Sequence, residues 1–307
     1  MSPAFILIKF KRNMTQMIEK RPQRGFAAGL GAYLLWGILP IYWKQLGAVP
    51  PMEQLAWRVL GCAIISWVWV LSRGKRAPKH VFTKKTLGAL LAATILIAAN
   101  WGTYIWALSV NRMVEASLGY YINPLVNVVL GVVFLSEKLA KRQRIAVALA
   151  SLGVLVMTLF AGVFPWVSLI LALCFGFYGL VVKTLPSEFD SIETLAWLMA
   201  FLGPLAAGYL LWCGNSEAGL HLVGYGSLVT TLLLLSGFVT LIPLWLFGIG
   251  ARSLPLSVLG FLQYVAPSIM LLLGVLVYKE PFGLAQALTF VLILSALGLS
   301  TTPSRDS

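Results

Sequence analysis

Ten apolar stretches alternate with short polar segments along nearly the whole chain, at approximately 25–46, 52–72, 86–110, 113–135, 145–163, 165–183, 191–213, 227–250, 254–278 and 282–302. Each is about 17 to 25 residues long, the length an α-helix needs to cross a bilayer. The connections are short, so successive helices are expected to be antiparallel neighbours. The longest link, 214–226, holds Glu217, His221 and several glycines and reads as an exposed loop. No linker is long or polar enough to separate soluble domains. The pattern predicts an all-α integral membrane protein of ten transmembrane helices.

One stretch departs from a plain span. Residues 115–137 read EASLGYYINPLVNVVLGVVFLSE, with proline, asparagine and tyrosine where leucine would be ordinary. Pro124 lacks a backbone donor and frees the carbonyl four residues earlier, which predicts a kink or opening near Tyr120. Lipid cannot satisfy a freed carbonyl, so the stretch must face protein or a watery cavity. Ser117, Tyr120, Asn123 and Asn127 fall on roughly one helical face. Two readings stand: hydrogen bonding between helices, or the lining of a cavity.

The stretch has a second copy. YINPLVNVVLGVVFLSE at 121–137 is matched by YVAPSIMLLLGVLVYKE at 264–280. Tyr121, Pro124, Gly131 and Glu137 correspond to Tyr264, Pro267, Gly274 and Glu280, all at an offset of 143. Kinked helices in matching places point to a duplicated transporter with its binding site between the halves, Pro124 and Pro267 being the hinges.

Composition and charge sharpen this. The chain of 307 residues is 59 % hydrophobic and 11 % charged, with mean hydropathy +0.88. A soluble domain carries about a quarter charged residues. The net charge of +13 does not form one basic face for nucleic acid; it sits in segments between spans. With the N-terminus inside, nineteen of the 23 Lys/Arg fall on cytoplasmic segments and three outside, with Arg58 inside span two. Both termini are therefore expected in the cytoplasm. Five spans per half is an odd number, so the second half must be inverted relative to the first. Residues 1–24 form a basic cytoplasmic tail with no signal-peptide core, 25–163 the first five-helix repeat and 165–302 the second. Cys62, Cys174 and Cys213 all lie in apolar spans and give no case for a metal site or a disulfide framework.

The five-plus-five plan, the Pro-x6-Gly-x5-Glu ends of spans four and nine, and the stretches EASLGYYINPLVNVVLGVVFL, ANWGTYIWAL and GFLQYVAP resemble the RarD-type proteins of the EamA group, in the drug/metabolite transporter superfamily. The resemblance runs from about Gly25 to Thr301. It implies a multi-pass protein of the bacterial inner membrane, with a central cavity from helices one to four and six to nine, and helices five and ten packed outside.

Arg58 lies about five residues into span two. A charge at that depth is costly and marks a functional candidate with a partner, either Glu53 or Glu115, or else a structural lock or a snorkelling side chain. The cavity candidates are Trp36, Asn100, Trp101, Tyr104, Tyr121, Asn123, Tyr178, Gln263 and Tyr264; Tyr33 and Tyr42 belong to the same aromatic set. Aromatic walls with a few amides suit an amphipathic organic molecule. Trp43, Trp67, Trp69, Trp166 and Trp212 sit near span ends and read as interfacial anchors. Glu137 and Glu280, at helix ends, read as structural or gating groups.

Enzymes fare badly. His80 and His221 lie in loops, there is no zinc-binding HExxH helix and no nucleotide-binding motif, and Asp190 and Asp306 lie outside the spans or at their edge. No cofactor is expected. The sequence points to a secondary transporter of a small organic molecule, with Glu53 or Glu115 the candidates for proton coupling. A lipid scramblase, which would need a lateral polar groove, and a receptor-like bundle are the alternatives.

Overall fold

In the computed structural model the described residues are 3–74, 82–110, 112–162, 164–215, 226–279 and 283–301. Their regular structure is helical: α1 (Pro3–Gln45), α2 (Pro51–Arg73), α3 (Lys84–Ser109), α4 (Met113–Leu135), α5 (Lys141–Ala161), α6 (Trp166–Thr184), α7 (Ser191–Gly214), α8 (Ser227–Ser253), α9 (Leu256–Gln263), α10 (Val265–Leu272) and α11 (Leu284–Thr301). Eight segments among the described residues are long and apolar enough to cross a membrane, Leu256–Val277 counting as one. The shorter apolar helices Gly119–Leu135 and Ala287–Leu299 complete ten crossings. The basic segment at the N-terminus continues the helix of the first span, whose membrane-length part is Gln23–Gln45.

The sequence marks several helix ends. Asp190 caps α7, accepting from the Glu193 N–H at 2.7 Å. Gly74 and Gly162 close α2 and α5 in the left-handed conformation, at φ 62 and 67°.

The two expected hinges differ. Span nine breaks between Gln263 and Val265, where Pro267 removes the donor that would reach the Gln263 carbonyl. The Ser268 side chain stitches the break by donating to the Tyr264 carbonyl at 2.8 Å. Span nine then ends in a π turn, Leu273–Val277. Span four instead runs as continuous α4 through Pro124, so only the second proline interrupts its helix. The repeat survives in the backbone all the same. Ser136 and Lys279 are the non-glycine residues with positive φ among those described, at 53° and 56°, and they too are 143 apart.

Packing follows a pseudo-two-fold pattern. Helix α2 lies on α7, α4 on α9, and α5 on α11; α3 on α6 mirrors α1 on α8, and α4 on α6 mirrors α1 on α10. The first half is thus set inverted against the second. Helices α5 and α11 pair at the edge, with Ala146, Ala150, Ile293 and Ala296 buried there. At the centre, a Cβ on Gly237 would come within 2.6 Å of Gly61 backbone, so α2 and α8 cross main chain to main chain. Such contact between small residues holds membrane helices together where lipid gives no hydrophobic drive.

Candidate functional site

Arg58 is the centre of the interior chemistry. It projects from α2 between two indoles, with Cζ 4.5 Å from the Trp43 ring and 5.2 Å from the Trp101 ring. Its Nε donates to Thr240 Oγ1 of α8 at 3.0 Å. The hydroxyls of Tyr42, Tyr104 and Tyr120 lie within its electrostatic reach. Tyr120 keeps 36 % of its surface accessible although Tyr104, edge-on at 6.3 Å, and Arg58 bracket it. That combination marks open space between α2, α3 and α4. Four helices of the first half and one of the second therefore frame a chamber with a fixed cation on its wall.

Below the chamber is a plug of packed rings. Tyr33, Trp36, Phe175, Tyr178 and Phe247 meet at centroid distances of 5.1 to 6.4 Å. Tyr178 stacks on Phe247 at 16° and is 1 % exposed. Trp36 is half-buried and forms the plug's upper layer. Aromatic pairs in these geometries each add ~0.5–1.5 kcal/mol beyond burial.

The amides serve elsewhere. Asn100 donates to the Leu171 carbonyl at 2.9 Å and ties α3 to α6. Asn127 donates to Asn123 Oδ1 at 3.2 Å and to Gln263 Oε1 at 3.0 Å, joining α4 to α9. Asn123 and Gln263 are each 5 % exposed. A Cβ on Gly260 would meet the Pro124 carbonyl at 2.7 Å, so the two helices touch at the hinge proline itself. Tyr121 packs with Tyr264 toward α5 and α11. In this conformation Asn100, Asn127 and Gln263 bond across helices, while Asn123 accepts from its own helix.

Glu53 does not pair with Arg58: it is buried at 1 % exposure within reach of Tyr209 on α7, while Arg58 turns to α8. Five residues apart on one helix, the two side chains leave on different faces. The side chains of Glu115 and Ser117, and all of Glu280, lie outside the described residues. Two members of the chamber escaped the sequence reading. Trp43 looked like an interfacial anchor because it is near a span end, and Thr240 carries no signal in an apolar helix.

The end of the bundle carrying the clustered basic residues is held by side chains. Glu137 Oε1 accepts from the Leu256 N–H at 2.6 Å, and its Oε2 from the Ser257 N–H at 3.0 Å and the Ser257 hydroxyl at 2.7 Å. The last helix of one half's motif thus caps the first turn of the other's, where a carboxylate is favoured by the helix dipole. The motif's glycine has its reason here: a Cβ on Gly131 would stand 2.6 Å from Glu137 Oε2. Lys183 donates to the Ala251 and Leu254 carbonyls, and Arg252 to the Phe189 carbonyl. A cavity of about 290 Å³ lies beside this network, lined by Trp69, Arg73, Asp190 and Arg252 among others. A second, of about 130 Å³, lies between α2, α3 and α7; its lining is almost wholly apolar, including Leu55, Val59, Trp101 and Leu202.

Ten crossings in two inverted halves, two proline-bearing helices meeting between them, and an interior cation in an aromatic chamber define a membrane transporter. The chain belongs to the EamA-like transporter family, which matches residues 23–159 and 165–302 in two successive copies. It is 42 % identical over 279 residues to the uncharacterized transporter YojE of Bacillus subtilis (strain 168), covering 88 % of this chain and 91 % of that one. It is 38 % identical over 288 residues to the protein RarD of Escherichia coli (strain K12), covering 92 % and 95 %. It is thus a RarD-type member of the drug/metabolite transporter superfamily. One crystal structure matches in fold with a TM-score of 0.69 at 19 % identity, covering 90 % of this chain and 97 % of that one.

Proposed function

We propose that this protein is a secondary transporter moving a small organic metabolite or drug-like molecule across the bacterial inner membrane by alternating access, with both termini in the cytoplasm. The observation that carries the reading is the crossing of α4 and α9 at Pro124 and Gly260, next to the Arg58 chamber. A duplicated pair of proline-bearing helices that cross between the halves offers two equivalent packings, one for each open side. The repeats 25–163 and 165–302 act as the rocking units. The basic end is the cytoplasmic one, by the excess of Lys/Arg there. The aromatic plug and the Glu137 cap then close the inner side, and the chamber belongs to the outer half. Cargo enters between Trp43, Trp101, Tyr104 and Tyr120, and the amides Asn123 and Gln263 become reachable when α4 and α9 part.

The scramblase alternative gains nothing, since the lateral cavity between α2, α3 and α7 is apolar rather than polar. Reconstituted proteoliposomes test the transport reading. With cysteines at positions 137 and 257 in a cysteine-free background, a short thiol-reactive cross-linker should abolish uptake and efflux of a transported metabolite. Undiminished transport in the cross-linked protein would overturn alternating access at this gate.

A further inference from the structure

We propose that the chamber's ligand is a monocarboxylate with an apolar or aromatic body, its carboxylate held by the Arg58 guanidinium. This rests on the transporter reading and names the class of cargo. The guanidinium is presented on one edge only. Its Nε is engaged by Thr240, and the Trp43 and Trp101 rings cover it. Its terminal nitrogens have no hydrogen bond to the described residues, and they are not sealed in either. Two parallel N–H donors on a rigid fork match the two oxygens of a carboxylate, a fit a lysine does not offer. A cation inside a membrane is costly without a counter-ion, so a ligand that supplies one is strongly favoured.

Among the described side chains one positive charge faces the chamber, which calls for one negative charge in the ligand. Among the described side chains, the groups that act electrically on Arg58 are Cys62, Tyr42, Tyr104 and Tyr120, none of them a carboxylate or a second cation. The nearby cations are directed to other rings: Lys44 lies over Tyr278 and Arg112 over Trp166. A dianionic phosphate would find half its charge unmatched. The Tyr104 and Tyr120 hydroxyls, both within electrostatic reach of Arg58, hydrogen-bond to each other, whereas the Tyr42 hydroxyl donates to the Leu232 carbonyl. The rest of the ligand meets indole faces. Trp101 also borders the apolar cavity of about 130 Å³.

The test uses the full chain purified in detergent and matched pairs of probes: phenylacetate against phenylacetamide, and hexanoate against hexanamide. Binding is read as tryptophan fluorescence change and as a rise in the thermal unfolding midpoint. The acids should bind about tenfold or more tighter than their amides, the preference vanishing in Arg58→Gln and shrinking in Arg58→Lys. Tyr104→Phe should weaken the acids alone. If Arg58→Gln does not fold, Arg58→Lys and the acid-over-amide preference of the unaltered chain decide. Amides binding as well as acids, no binding of any acid, or a preference untouched by Arg58→Lys would overturn the assignment. Undiminished transport of a neutral compound by Arg58→Lys would reject the carboxylate and keep the transporter. Carboxylate binding with no transport of any metabolite would do the reverse.

Discussion

The Tyr264 hydroxyl donates to the Tyr121 carbonyl at 3.3 Å, and these two residues are each other's counterparts in the duplicated halves. A position that repeats along the sequence has become a contact in space. Equivalent residues meet when they lie close to the axis relating the halves, so that axis passes between α4 and α9. The neighbouring Asn127–Gln263 bond, across 136 residues, fastens the same crossing.

The crossing should be sensitive to its buried amide. Asn127→Ala leaves the Asn123 and Gln263 oxygens without their donor. The expected loss is about 1–3 kcal/mol in equilibrium unfolding in detergent. Gln263→Ala should cost less, since Asn127 retains Asn123. Equal stability of Asn127→Ala and the unaltered chain would mean the amides are not bonded in the bilayer form.

Glu137→Ala removes the acceptor of two backbone donors and one hydroxyl at the start of α9. A drop of about 1–3 kcal/mol is expected. Gly131→Ala should mimic it, because its Cβ would displace the carboxylate. The double variant should then be little worse than Glu137→Ala alone, since both act on one contact. Full additivity in a thermal unfolding series would reject that shared cause.

Orientation is checked at the left-handed pair. Single cysteines at Ser136 and Lys279, in a cysteine-free background, should react with a membrane-impermeant reagent from opposite sides, Ser136 from the cytoplasm. Labelling of both from one side would contradict the inversion.

Thr240→Val takes away the hydroxyl that steadies Arg58. The chain should fold with a loss of about 0.5–1.5 kcal/mol, while transport of a carboxylate cargo weakens through a raised KM rather than a lowered kcat. An unchanged KM in proteoliposomes would place Thr240 outside the positioning of Arg58.

How much of this was legible beforehand depends on the kind of signal. Span positions and the 143-residue repeat come from runs of apolar residues and fixed spacings, which a single sequence displays directly. Arg58 stood out because an intramembrane charge needs a reason. Its surroundings did not. Trp43 near a span end has the same sequence signature as a lipid-interface anchor, and only tertiary packing brings it over the guanidinium. Asn100, Asn123 and Gln263 read as cavity groups, and in this conformation Asn100 and Gln263 bond to other helices and Asn123 to its own, because a polar side chain in an apolar span serves either end equally well. Pro124 and Pro267 occupy matching positions, yet only span nine breaks, which shows that the neighbours of a proline decide how far its missing hydrogen bond opens the helix.

The cap on α9 also sets a timetable for synthesis. Glu137 belongs to the fourth crossing, and the Leu256 amide it accepts from lies 119 residues later. At about 5–20 residues per second, the ribosome needs roughly 6–24 s to deliver that partner. Until then the carboxylate must stay hydrated at the membrane surface. A nascent chain halted before residue 256 should therefore hold its first half as an open, unfinished bundle, one that the arrival of α9 pulls shut.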